Sequence, residues 1–441
     1  MKPLPKLTAA LAMFILGAAY PATAQAGQEP AKARAQKVEP SQDPPTRLMR
    51  QAEDAIEKKD YAAAAEALQS YLAQRPGDAV AHFQLGYAYS GLERAGEAQA
   101  EYRKAIALNP KLAAAHLNLG LTLLERDPAA AVEPLRAAAE MLPDQSRPRF
   151  LLGLALERSG NLSGAIEQYQ AAQGLEPKEF EIRLALGRAL LRSDRVAEAE
   201  AQFREALALR ADSASARLGL ANSLLTQMNL EGAVQELRAY LEQQPKDQES
   251  RLQLAAILVR LNRYDQAREE LDRSDRAAQP SLASYKLRAE IYFAWKQWTQ
   301  AAEALEKALQ LAPQDAELHA RLGRVWLEER KFAPAERELH HALRIDPNAI
   351  DALRDLVAVY YLGEEYPATL DVLDRLAQRE TPNAGSWFVR ATCYDKLDRK
   401  AEALAAYEKF LELDQGRSDK QGFQARQRIH LLRRALAQKK R

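Results

Sequence analysis

Apolar residues recur at spacings of three and four along most of the chain, and small residues return about every 34 positions. Ala64, Ala98, Ala131, Ala165, Ala199, Ala233, Ala267, Ala301, Ala335 and Ala403 hold one equivalent place. Four residues later stand Leu68, Tyr102, Leu135, Tyr169, Phe203, Leu237, Leu271, Leu305, Leu339 and Tyr407. That spacing puts one small and one large side chain on the same helix face. A second helical pattern precedes each of these. In it Leu85-Gly86, Leu119-Gly120, Leu152-Gly153, Leu186-Gly187 and Leu322-Gly323 mark places where a neighbouring helix comes close. Pro76, Pro110, Pro143, Pro177, Pro245, Pro313 and Pro347 fall just past the later helix, where proline stops it and sets the turn.

The pattern therefore predicts a helix pair repeated eleven times. The units begin near Pro45, Ala79, Ala113, Ser146, Phe180, Ala214, Gln248, Leu282, Ala316, Ile350 and Ala384. Each pair carries an apolar face that it cannot bury alone, and stacking the next pair covers it. A length of 441 residues would ordinarily suggest about three domains; a single period over residues 45–417 predicts one solenoid instead. The third unit is one residue short near Asp127-Pro128, which predicts a tighter join. The sixth begins after Ala211 in place of proline, and the tenth has Thr369 where Ala is usual. The seventh has Ser274 and a highly charged second helix, so it reads as the weakest-packed unit and a candidate joint. Beyond Gln415 the period ends. Gly422 to Leu436 reads as a capping helix, with Phe423, Ile429, Leu432 and Leu436 facing the array.

These units resemble the tetratricopeptide repeat. The stretch from Ala79, AVAHFQLGYAYSGLERAGEAQAEYRKAIALNPKL, is nearly a consensus copy. The resemblance implies an all-α, right-handed superhelical solenoid of helix-turn-helix units. It also implies binding of other proteins along a concave face lined by the first helix of each unit.

Composition adds mostly exclusions. Lys plus Arg is 62 and Asp plus Glu 61, which argues against a globally basic nucleic-acid binder. The single cysteine, Cys393, excludes an intrachain disulfide and any Cys-rich metal site. No phosphate loop, nucleophile elbow or zinc-helix motif is present, so the chain reads as non-catalytic and without a cofactor or metal. His82, His116 and His319 share one repeat position where the family often has Trp, which favours packing over ligation. His340 and His341 are adjacent and diverge on a helix. Cys393 reads as a small core filler, Trp298, Trp326 and Trp387 as core, and Trp295 as part of a turn.

Residues 1–24 read as a secretory signal. Lys2 and Lys6 precede an uncharged apolar run from Leu7 to Ala19, then Pro21 and the small residues Ala22-Thr23-Ala24. Cleavage after Ala24 is the first choice and after Ala26 the second; the other reading is a retained anchor. Residues 25–44 read as a flexible linker. The expectation is a periplasmic or secreted protein whose partners belong to a cell-envelope assembly.

Carrying the family's binding face over position by position gives a candidate groove. Its residues are Phe83, Tyr87, Leu117, Leu121, Phe150, Leu154, Arg158, Leu184, Arg188, Arg192 and Asn222. This half suits a peptide with apolar and acidic side chains. Each leucine has packing within the stack as its other reading. Later units offer a more charged set, among them Lys286, Arg324, Glu328, Asp351, Arg354 and Phe388. The family's carboxylate clamp is not matched, because Leu117, Phe150 and Leu184 stand at the Lys-type positions. Residues 418–441 form a basic cap and tail: Arg417 to Arg441 holds nine Lys or Arg and one Asp. Such a tail suits an anionic lipid, a glycan or an acidic partner; the other reading is a solvated helix face.

Overall fold

The computed structural model describes residues 43–438. The expected signal and most of the linker lie outside the described residues, as do the last three residues. Among the described residues there are 23 helices and no strand. In chain order, eleven repeats each contribute two. They are α1 (Pro44–Glu57) and α2 (Tyr61–Gln74), α3 (Ala79–Gly91) and α4 (Ala95–Leu108), α5 (Ala113–Leu123) and α6 (Pro128–Met141), and α7 (Ser146–Arg158) and α8 (Leu162–Leu175). Next come α9 (Phe180–Arg192) and α10 (Val196–Leu209), α11 (Ala214–Thr226) and α12 (Leu230–Gln243), α13 (Gln248–Arg260) and α14 (Tyr264–Ala277), and α15 (Leu282–Ala294) and α16 (Trp298–Leu311). The series closes with α17 (Ala316–Glu328) and α18 (Phe332–Ile345), α19 (Ile350–Leu362) and α20 (Tyr366–Ala377), and α21 (Ala384–Lys396) and α22 (Lys400–Asp414); α23 (Asp419–Gln438) is single. Ten of the eleven expected starts coincide with the first residue of a helix; the first repeat begins one residue earlier, at Pro44.

The glycine after each leucine makes room for the large residue of the second helix. A Cβ on Gly86 would sit 2.7 Å from the Tyr102 ring, and one on Gly153 2.6 Å from Tyr169. Tyr102, Tyr169 and Phe203 are fully buried in consequence.

Inside ten of the repeats the turn needs one left-handed residue. Nine are non-glycine, from Lys59 to Asp398, with φ between 56° and 61°; the tenth is Gly160 at 92°. The next N–H then reaches back five residues, as Arg94 N does to Tyr89 O at 2.9 Å. A left-handed L-residue costs about 1–2 kcal/mol, so stacking must hold these turns closed. The third repeat escapes that cost. Its missing residue removes the left-handed position, Asp127 N bonds Leu123 O at 2.8 Å, and the Asp127 side chain caps α6.

A polar latch closes six of the joints between successive repeats. His82 Nε2 faces the Pro76 carbonyl at 3.0 Å, and His116 and His319 face Pro110 and Pro313 in the same way. Arg183, Arg217 and Arg251 fill the same position and donate to the carbonyls of Pro177, Ala211 and Pro245, each at 2.8 Å. The partner is always six residues back. His82, Arg251 and His319 also meet a carboxylate nineteen residues on, at Glu101, Glu270 and Glu338.

The chain divides into two compact units after Met228, inside the sixth repeat. The second helix of the seventh repeat meets the next repeat more sparsely than any other second helix does, as its charge predicts, and polar contacts tie it. Arg251 and Glu270 pair at 2.7 Å, Arg288 binds Asp272 and Asp275, and Ser274 donates to Gln248. The cap α23 buries Gly422, Ala425, Ile429 and Leu432. Phe423, expected to face the array, is 62% exposed, because one residue turns it about 100° away from Gly422. Leu436 is half-buried.

Candidate binding face

The first-unit candidates stand on α3, α5, α7, α9 and α11. In that row α3 touches α5, α5 touches α7, and α9 touches α11. Phe83, Tyr87, Leu121, Phe150 and Leu154 are half-buried, each with part of its side chain facing outward. Phe83 leans on Tyr102 and Phe150 on Tyr169, both with ring centres 5.9 Å apart, and Tyr87 meets Tyr61 edge-on at 6.1 Å. These rings are fixed from behind by the second helices. Leu117 and Leu184 are only 3% and 6% exposed, so packing within the stack takes them.

The arginine patch is smaller than the sequence suggests. Arg192 pairs with Glu157 at 2.6 Å, and Glu157 also accepts from the Tyr169 hydroxyl at 2.8 Å. Arg158 donates to the Leu124 carbonyl at 3.1 Å. Among the described residues Arg188 makes no hydrogen bond or ion pair. It lies near Tyr169, whose hydroxyl is pushed well above its ordinary value by burial first and by Glu157 second. Asn222 is half-buried on α11. Glu157 is the residue that reasoning from the sequence missed; its place beside Arg158 and one helical repeat from Arg192 was the available signal.

In the second unit three of the charged candidates are engaged in ion pairs above an apolar core. Lys286 binds Asp315 at 2.8 Å, and Arg354 binds Asp351 at 3.0 Å and also Glu380. Phe388 is buried against Phe410 and Tyr407, so it serves the core and not the face. Asp355, on α19, was not anticipated. Burial lifts its carboxyl to about 6, with Arg324 opposing and Asp351 and Glu328 adding to the rise.

The remaining chemistry is structural. Cys393 is buried and its thiol is pushed up to about 11 by that burial, which keeps it out of the reactive thiolate form. His340 reaches Tyr360 while His341 stacks on His319, so the adjacent pair does diverge. Trp298, Trp326 and Trp387 are half-buried and pack against the apolar core as expected, and Trp295 stands in its turn between Tyr264 and Tyr292. Among the described residues no three His, Cys, Asp or Glu side chains gather as a metal site, and no helix is long and apolar enough to cross a membrane.

Three tetratricopeptide repeat family models match, at residues 79–112 and 384–417, 125–180 and 184–248, and 224–291 and 292–360. Together they cover well over half of the chain. This chain belongs to the tetratricopeptide repeat family. Proteins of this family bind other proteins and are generally scaffolds, not catalysts. No curated protein matches the chain. Among solved structures it is similar to MamA from Desulfovibrio magneticus RS-1, at 24% identity over 39% of this chain and 97% of that one, with a TM-score of 0.37. It is similar to YrrB, described as a tetratricopeptide repeat protein with an unusual peptide-binding site, at 22% identity over 42% and 97%, TM-score 0.40. It is also similar to Pseudomonas aeruginosa pilF, at 21% identity over 50% and 96%, TM-score 0.39.

Proposed function

We propose that this tetratricopeptide repeat protein is an exported bacterial scaffold. It captures extended or helical segments of envelope proteins on the first-helix face of repeats two to six, and no bond is made or broken. One observation carries the reading: Phe83, Tyr87, Leu121, Phe150 and Leu154 stay partly exposed, and the three rings among them are braced from behind. Anchors already fixed lose little conformational freedom when a ligand arrives. Arg188 is the cation left to meet an acidic side chain of that ligand. Export rests on the pattern of residues 1–24.

The test is in-cell crosslinking of the tagged protein followed by mass spectrometry of the envelope fraction. One or two dominant envelope partners are expected, with capture weakened by Tyr87→Ala with Leu154→Ala and by Arg188→Glu. Unchanged capture in these variants removes the face. N-terminal sequencing of the mature protein should begin at Gln25; material starting at Met1 would overturn cleavage.

A second reading has an observation of its own. On α23, Phe423 and Leu431 are 62% and 48% exposed, on the side away from the docked face, with Lys420 and Arg434 among them. A basic face with apolar insertions suits an anionic surface. Deleting residues 418–441 separates the two readings: surface association is lost in the second, and partner capture survives.

A further inference from the structure

The six latched joints make the same contact with two kinds of side chain. Arg183, Arg217 and Arg251 are permanent cations with several N–H donors each. A histidine ring has two N–H donors only when doubly protonated; the neutral ring has one donor and one acceptor.

At two joints the geometry calls for both donors. His82 Nδ1 lies 2.6 Å from Glu101 Oε2, while its Nε2 lies 3.0 Å from the Pro76 carbonyl. His319 Nδ1 lies 2.8 Å from Glu338 Oε2, and its Nε2 lies 3.2 Å from the Pro313 carbonyl. An ionised carboxylate and a carbonyl both accept, so each pair of bonds closes only on the doubly protonated ring. His82 and Glu101 are each only 8% exposed, which leaves little water to replace a lost bond. Arg251 meets Glu270 and the Pro245 carbonyl in the same pattern, with its charge fixed. His116 differs. It faces the Pro110 carbonyl at 3.0 Å and, among the described residues, has no carboxylate partner. One donor is enough there, and the neutral ring supplies it.

The charges around the two rings also differ. Beside His82 stand Glu101 and Lys104 of α4, joined at 2.8 Å. The joint itself holds Arg75, at the end of α2, and Asp78, which accepts the Tyr71 hydroxyl. Around His319 stand Glu306 of α16 and Arg337 and Glu338 of α18. His341, also of α18, stacks on the His319 ring with centres 5.3 Å apart, and Asp315 is taken by Lys286.

We propose that His82 and His319 are proton-operated latches. With the ring doubly protonated, both bonds close the joint. An imidazole gives up its second proton at about pH 6.5. The remaining proton then stays on the nitrogen facing the carboxylate, the stronger acceptor, and the bond to the proline carbonyl is lost. Acidification thus tightens the joints that open repeats two and nine. The arginine joints and the His116 joint do not respond. The bonds need the proton, so the tightening is present at mildly acidic pH and fades as pH rises. The device is independent of the first-helix face and of α23.

Hydrogen–deuterium exchange of the whole protein reads each joint through its own peptides. It is run at about pH 6 and about pH 8, either side of the imidazole range, and corrected for the intrinsic pH dependence of exchange. Protection over residues 76–86 and 313–323 should fall about three- to tenfold at the higher pH, the worth of one hydrogen bond. Protection over residues 110–120 and 245–255 should stay level. His82→Arg and His319→Arg, which copy Arg251, should hold the same protection at both pH values. Other titrating groups, Asp355 included, act on every variant alike and cancel in that comparison. No loss in the unaltered protein, an equal loss in the arginine variants, or an equal loss at the His116 joint overturns the proposal.

Discussion

The fourth and seventh repeats hold the same helix pair together by different means. In the fourth, Gly153 admits the Tyr169 ring, and the contact is one of shape. In the seventh, Ala255 takes the glycine place and the pair is tied by charge. Arg251 and Glu270 are 8% and 6% exposed, and Glu270 receives Arg273 as well. Shape fails gradually as atoms are added or removed. A buried ion pair fails abruptly, because either partner left alone is an uncompensated charge.

The largest expected effect follows from that difference. Glu270→Ala should cost about 3–5 kcal/mol in chemical denaturation, whereas Arg251→Met combined with Glu270→Leu should recover most of the loss. A single variant no worse than a surface deletion would break the comparison. Next comes Gly153→Ala, expected to cost about 1–3 kcal/mol by forcing Tyr169 aside. Gly174→Ala, in the same repeat with nothing within 4 Å, should instead gain about 0.5–1 kcal/mol from helix propensity. The two alanines moving melting temperature in the same direction would show that shape does not govern this repeat.

Charge also carries a penalty in the second unit, and pH exposes it. The Asp355 carboxyl stands above its unfolded value, so the folded state holds its proton longer. Stability should fall as pH rises from about 4 to about 6, where the folded group ionises. Asp355→Asn should flatten that slope and gain about 1–2 kcal/mol at neutral pH, discounted for the side chain's wet side. A melting curve series from pH 4 to 8 reads it; an unchanged slope would show that Asp355 stays solvated. The smallest effect lies in the inner turns, Gly160 in the fourth repeat and Asn262 in the seventh. Asn tolerates the left-handed region, so Asn262→Gly should shift stability by less than about 0.5 kcal/mol. A gain beyond 1 kcal/mol would mean that the turn is strained.

Much of the fold was legible because two signals agreed, the 34-residue return of Ala and the Leu-Gly step before it. The face was harder. Its positions could be named, but Leu117 and Leu184 are closed over by neighbours that no single repeat reveals. Arg192 was counted as free because Glu157, its partner, lies one repeat earlier. Phe423 was placed by its apolarity when the line of small residues at Gly422 and Ala425 decided which way the helix lies. The latch was half visible: three histidines at one position were noticed, and the arginines sharing their work were not.

That latch constrains where the chain can accept extra residues. Its donor and carbonyl are separated by six positions at all six joints, so a single insertion there would pull them apart. Most inner turns carry a ruler of their own, the N–H that reaches back five residues past the left-handed position. The third repeat has lost a residue from that turn and closes it with Asp127 N on Leu123 O at 2.8 Å instead. An epitope tag or fluorophore threaded into the tandem array therefore belongs at the inner turn of the third repeat, which has neither the six-residue latch nor the left-handed position to preserve.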